Sequence, residues 1–257
     1  NDLAAMRQAD LSITRQSSSP AALSVADIVL LGDSPRALLR ALDKGQRIAN
    51  GLFDILKLYL VQISYLVLLI LAIWGTGLGF PYLSKQGSLI TFASIILPSV
   101  GLSLWAPAGV LPRARLGRLL ALFVVPVAVM MSAAGVIVYR FFLDRTANVA
   151  YAQLALTYML VFSGLTVVVL LRPPFRYRVG GDERGGDWRP AALAFVLLIL
   201  VLVVASIPLA DDLFGLKPLQ QPTDYLVVGM AVLAWAFAAS LTWRVVMLDR
   251  PRQQVFR

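Results

Sequence analysis

The groups with the most chemistry to offer in this chain are neutral oxygens set inside long apolar runs. Ser94-Ile95-Ile96-Leu97-Pro98-Ser99 sits within one such run, and Ser103 follows a turn later. Pro98 has no N–H for the carbonyl four residues back, so the Ser94 carbonyl loses its helical partner. At membrane depth, carbonyls freed at a broken helix hold cations where they face protein or water. Ser94, Ser99 and Ser103 add hydroxyl oxygens to that place. Gln62, Ser64 and Tyr65 in the run before, and Gln153, Thr157, Tyr158 and Ser163 in a later one, are polar groups in costly positions, which tend to mark pathways. The competing reading is structural, with serines satisfying a proline kink and hydroxyls joining helices. Gln62, Tyr65, Ser94, Pro98, Ser99, Ser103, Gln153 and Tyr158 are therefore the ion-path candidates.

The Pro98 run contains no Asp or Glu, and the run before it has only Asp54 at its edge. A hard divalent ion wants several oxygens and some negative charge. The chain has no Cys and no His, which removes thiolate and imidazole metal sites, disulfides and histidine relays. That also argues against soft metals as cargo.

The elements that carry these groups follow from composition. Of 257 residues, 59% are hydrophobic and 14% charged, which fits an integral membrane protein and a lipid bilayer as partner. Six apolar runs, Leu58–Trp74, Leu89–Ala106, Leu119–Phe142, Ala150–Leu171, Ala191–Leu209 and Tyr225–Met247, are each near spanning length. The net charge of +9 sits in arginine-rich segments between them, the pattern of topology determinants and not of a nucleic-acid surface. Arg113, Arg115 and Arg118, the 172–189 loop and the Arg250/Arg252/Arg257 tail share one side, which the positive-inside rule makes cytoplasmic along with the N-terminal segment and the C-terminus. Trp74, Trp105, Tyr139, Trp188 and Trp243 near run ends suit an interfacial aromatic belt. Gly180–Asp187 is expected to be a flexible link.

One stretch ties the membrane part to a wet part. From Lys44 to Gly75 little breaks a helix, and its ~30 residues would reach ~45 Å, beyond the ~30 Å hydrocarbon core. Residues 1–43 predict strand, helix, strand, helix. Ala26-Asp27-Ile28-Val29-Leu30-Leu31 has the form of a parallel strand buried on both faces, Ser19-Pro20 caps the first helix, and Asp33-Ser34-Pro35 caps Arg36–Leu42. This is the tail of a Rossmann-like domain, too small to fold alone, so its partner is expected upstream in a longer chain.

The order of these segments is specific. Asn1-Asp2-Leu3, Ala9-Asp10-Leu11-Ser12-Ile13, Ser19-Pro20-Ala21-Ala22, Ala26-Asp27-Ile28-Val29-Leu30-Leu31 and Gly45-Gln46-Arg47-Ile48 resemble the end of the phosphorylation domain of P-type ATPases. The resemblance implies a mainly α membrane protein: six transmembrane helices like helices five to ten of that family, below the C-terminal α/β tail of a Rossmann-like, HAD-like phosphorylation domain. Residues 1–43 would be that tail, 44–57 a stalk, and 58–257 the transport domain. It implies an ATP-driven pump of a bacterial inner membrane that moves a cation through a phosphoenzyme. Asn1 and Asp2 would be the last two residues of the hinge motif, Asp2 a ligand of Mg²⁺, with Mg²⁺ and ATP held mainly by upstream parts. This stretch alone carries neither the phosphorylated Asp nor a nucleotide domain. The Pro-Ser stretch looks most like the bacterial cation-transporting ATPase E group, associated with calcium. A lipid flippase of the same superfamily and a stand-alone six-helix membrane protein are the alternatives.

Overall fold

The computed structural model describes residues 3–31, 36–75, 77, 80–110, 116–175, 177–179, 182–184 and 186–248, with the backbone alone described at Ala37, 177–179, 182–184 and 245–248. Asn1, Asp2, the Asp33-Ser34-Pro35 cap, Arg113, Arg115 and the Arg250/Arg252/Arg257 tail lie outside the described residues. The chain divides into two units, 1–50 with 107–111, and 51–106 with 112–257.

In the first unit, α1 (Leu3–Gln8) precedes β1 (Ile13–Arg15), α2 (Pro20–Val25) and β2 (Ile28–Leu30). The two strands pair in parallel, Ile13 with Ile28 and Arg15 with Leu30. The Ser19 hydroxyl caps α2 by accepting the Ala22 N–H, with Pro20 in the first turn, as the sequence predicts. The Ala-Asp entry to the second strand has a clear job. The Asp27 carboxylate accepts the Ser12 N–H and hydroxyl, each at 2.8 Å, and the Asp27 N–H returns a bond to the Ser12 oxygen. β2 departs from expectation in burial: Ile28 is exposed and its neighbours only half-buried, because two strands have no third layer over them among the described residues.

Those bonds to Ser12 hold the Asp27 carboxyl below its ordinary value of 3.8. A depressed pKa in the folded state means the contribution is present above the unfolded value and fades as pH falls through the folded one. We expect NMR titration of full-length protein to show Asp27 ionised below pH 3.8, and Ser12→Ala to return it toward that value.

α3 runs unbroken from Arg36 to Trp74, 39 residues or ~58 Å. The expected helix 36–42 and the expected stalk are thus one element, stitched across Asp43 by its i,i+4 pair with Arg47. Inside the first unit Asn50 donates to the carbonyls of Pro107 and Gly109 at 3.0 and 2.9 Å.

The second unit is a helical bundle. α4 (Ser84–Thr91), a π-helical turn (Phe92–Ile96) and α5 (Leu97–Leu104) together make one span. α6 (Leu116–Thr146) and α7 (Val149–Leu171) form a hairpin turned at Ala147, whose φ is +51°, and Asn148 caps α7. α7 is the most buried span and carries the centre of the core, including Ala152, Leu156, Tyr158, Met159 and Val168. α8 (Arg189–Ala205), α9 (Pro208–Phe214) and α10 (Pro222–Leu248) complete it. Five helices among the described residues are long and apolar enough to cross a bilayer. α8 and α9 add a sixth span only if the pair counts as one, since they meet at 100°. The expected straight run Ala191–Leu209 breaks there because Pro208 denies an N–H to the ladder and Ile207 takes extended dihedrals. Exposed Leu, Ile, Val and Phe cover the outer faces, as hydrocarbon-facing surface should.

Two more expectations change. Within the stretch expected as a flexible link, Asp182–Arg184 forms β4, which pairs antiparallel with β3 (Tyr177–Val179). Trp243 is buried and leaves the aromatic belt. Pro126 within α6 deprives the Leu122 carbonyl of its helical donor, and the Trp243 indole N–H supplies one at 2.8 Å.

Candidate functional site

Gln62 and Tyr65 stand one turn apart on α3, and the π-helical turn brings Ser94 toward the same place. In a π turn one residue is added to the ring, and the Leu97 N–H reaches back to Phe92. The sequence break at Pro98 is thus absorbed as a wide turn within a continuing span. Gln62, Tyr65 and Ser94 line a cavity of about 10 Å³, closed by Leu58, Val61, Ile95 and Met131 and by Gly164 and Val167 of α7. That is near the least space a single water fills.

Glycine is required on the α7 side. A Cβ at Gly164 would stand 2.4 Å from both Cβ and Oγ of Ser94, so the two elements touch nearly backbone to backbone. The Ser94 hydroxyl makes only a long 3.5 Å contact to the Val161 carbonyl. Gln62 donates its amide N–H to Thr91 Oγ1 at 2.8 Å, and Thr91 donates to the Gly87 carbonyl. Ser132 of α6, 3.1 Å from the Tyr65 carbonyl and 2.7 Å from that of Ala128, braces α3 behind the site. A larger, more polar recess of about 610 Å³, walled by Gln62, Tyr82, Ser84, Ser88 and Thr91, opens on the other side of Gln62.

The remaining candidates do not join. Pro98 is buried beside the π turn, while Ser99 is half-buried and Ser103 exposed, and both bond back to Ile96 and Val100 on their own helix. The Gln153 amide donates to the Phe80 carbonyl and the Tyr158 hydroxyl to the Lys217 carbonyl, which ties loops to α7 at its N-terminal half. Ser163 accepts the Trp235 indole N–H, joining α7 to α10. These are the helix-joining hydroxyls of the structural reading.

Two charged clusters were not singled out by sequence. At one end, Asp54 of α3 is 1% exposed and meets Arg172, at the C-terminus of α7, through Nε at 2.9 Å and Nη2 at 2.8 Å. Lys57 lies 3.9 Å from the same carboxylate and 4.6 Å from the Phe53 ring centroid. At the other end Asp224, 2% exposed, accepts from Arg145 at 2.6 Å and from the Tyr151 hydroxyl at 2.5 Å. Each carboxylate is held by a cation, so the cavity at Gln62 is faced by neutral oxygens alone. A signal existed for the first cluster: Arg172 directly follows an apolar run on the side where Asp54 and Lys57 enter theirs.

Asn1 and Asp2 lie outside the described residues. Among the described residues no cluster of three or more Asp, Glu, His or Cys could hold a metal ion.

The spans define an integral membrane protein, and its sequence is similar over nearly its whole length to P-type ATPases. The chain is 26% identical to the calcium-transporting ATPase CtpE of Mycolicibacterium smegmatis over 258 residues, covering 95% of this chain. It is 25% identical to the protein of the same name from Mycobacterium tuberculosis over 262 residues. In both cases the match is to the C-terminal part, and the chain spans 31% of the relatives' length. No family model matches the chain.

Proposed function

We propose that this chain is the C-terminal membrane part of an ATP-driven P-type pump that moves Ca²⁺, or another hard divalent cation, across a bacterial cytoplasmic membrane. The observation that carries the reading is the convergence of Gln62, Tyr65 and Ser94, called from sequence as ion-path residues, on one cavity beside a π turn. The similarity to calcium-transporting ATPases over 95% of the chain supports it independently. In this reading residues 1–43 end a Rossmann-like phosphorylation domain, 44–57 form the stalk part of α3, and 58–257 form the transport domain. The N-terminal segment and C-terminus are cytoplasmic, on the arginine-rich side. Asn1 and Asp2 close the hinge motif, with Asp2 a Mg²⁺ ligand, and ATP binds upstream parts of the same protein.

The cavity supplies three side-chain oxygens at most, from Gln62, Tyr65 and Ser94. Ca²⁺ takes 6–8, so upstream helices would complete the shell. In this reading Gln62 and Tyr65 lie on the same helix as the stalk. A lipid flippase remains the second reading, favoured by the engagement of both buried carboxylates.

The test is ATPase activity of the full-length protein against Ca²⁺, Mg²⁺, Mn²⁺, K⁺ and phospholipid. Stimulation by Ca²⁺ or another divalent ion is expected. In Gln62→Leu and Ser94→Ala its half-maximal concentration should rise about tenfold, ~1.4 kcal/mol of lost binding, while Gln153→Leu keeps it. Pro98→Ala should weaken the response too, by restoring a regular helix. Stimulation by phospholipid with none by any ion would reject the cation reading for the flippase.

A further inference from the structure

Splayed apart over α7, helices α8 and α10 leave a crevice of about 650 Å³ on the outer face of the bundle. Ala191, Ala194, Phe195, Leu198 and Leu202 of α8 form one continuous helical stripe along it, facing Gly229 and Leu233 of α10. The two polar side chains in its wall are already engaged. Thr166 donates to the Phe162 carbonyl, and the Tyr225 hydroxyl accepts the Leu219 N–H. A crevice this large and this apolar has nothing for water or a polar ligand to bond.

We infer that this crevice is a binding site for one acyl chain of a phospholipid, whose headgroup sits at the Trp188–Arg189 end. Three observations select that occupant. Ala191 to Leu202 rises ~17 Å along α8, about half of the ~30 Å hydrocarbon core, which is the depth of a single leaflet. Trp188 and Phe175 stand immediately before the stripe, both exposed and packed edge to face at 5.1 Å, the arrangement of an interfacial aromatic pair. Arg189 follows Trp188 and gives the headgroup phosphate a cationic neighbour. The site stands on membrane embedding alone and is independent of the transported substrate.

The experiment uses full-length protein purified in mild detergent. Its retained lipid is quantified by mass spectrometry, and a phospholipid with a photoreactive group on its acyl chain is cross-linked to the wild-type protein in vesicles. Retained phospholipid is expected, with cross-links concentrated on peptides holding Phe195, Leu198 and Leu233. Ala194→Trp and Gly229→Phe, which fill the crevice, should each lose most of that lipid. Ile137→Trp, on an exposed face of α6, should keep it. Cross-links spread evenly over the exposed spans, or equal lipid loss in Ile137→Trp, would show an ordinary lipid shell and overturn the site. So would cross-links absent from α8 and α10 together with a second polypeptide co-purifying on them. The wild-type cross-linking arm decides the matter even if a filled variant fails to fold.

Discussion

Replacing Arg172 with alanine is expected to destabilise the membrane bundle by about 3–5 kcal/mol, the range for breaking a buried ion pair from one side. Asp54 would remain 1% exposed at the junction of α3 and α7, with Lys57 at 3.9 Å. Lys57 is a poor substitute because it is a point charge already lying over Phe53, whereas Arg172 approaches Asp54 with two nitrogens. Asp54→Asn should cost at least as much as Arg172→Ala, since it leaves the buried Arg172 and Lys57 cations with no anion between them. Unfolding in detergent, followed by intrinsic tryptophan fluorescence, measures both, and the double variant measures the coupling. A loss below about 1 kcal/mol for Arg172→Ala, the worth of an exposed pair, would mean that water reaches Asp54.

Gly164→Val is the second large effect, about 3 kcal/mol, at the top of the usual cost of overpacking. The added Cβ would stand 2.4 Å from Ser94, and a branched side chain adds two more carbons to that clash. Gly164→Ala should cost less but move Ser94 outward, which under the pump reading also weakens ion stimulation. Removing the opposing side chain in Gly164→Ala/Ser94→Gly should recover much of the stability and none of the ion response. That split separates a packing role for Gly164 from a ligand role for Ser94. Equal recovery of both would make Ser94 structural only.

The parts legible in sequence are those written in local chemistry. Ser19-Pro20 gave its cap, five of the six apolar runs gave spans, and the second Ala-Asp entry gave β2, whereas β1 begins only at the end of the first. Gln62, Tyr65 and Ser94 could be named because a polar group in a lipid-length run is costly wherever it falls. Which of the polar groups converge was not legible, since that depends on helix rotation. Gln153 and Tyr158 look like Gln62 and Tyr65 in sequence but end on loop carbonyls. Asp54 and Arg172 are 118 positions apart, and only the bundle brings them together. The π turn hid for a related reason: Pro98 announces a disturbance, but a kink, a break and a widened turn all satisfy it locally.

The unbroken run of α3 also sets a gearing. Gln62 lies 8 positions beyond Asp54, or ~12 Å along the rod. A pivot near Gln62 by about 5° would therefore sweep Asp54 through ~1 Å, enough to strain its bonds to Arg172. Run the other way, an ångström of push at Asp54 turns the helix at Gln62 by about 5°. Under the pump reading, rotations of that size are what the small cavity at Gln62, Tyr65 and Ser94 would register.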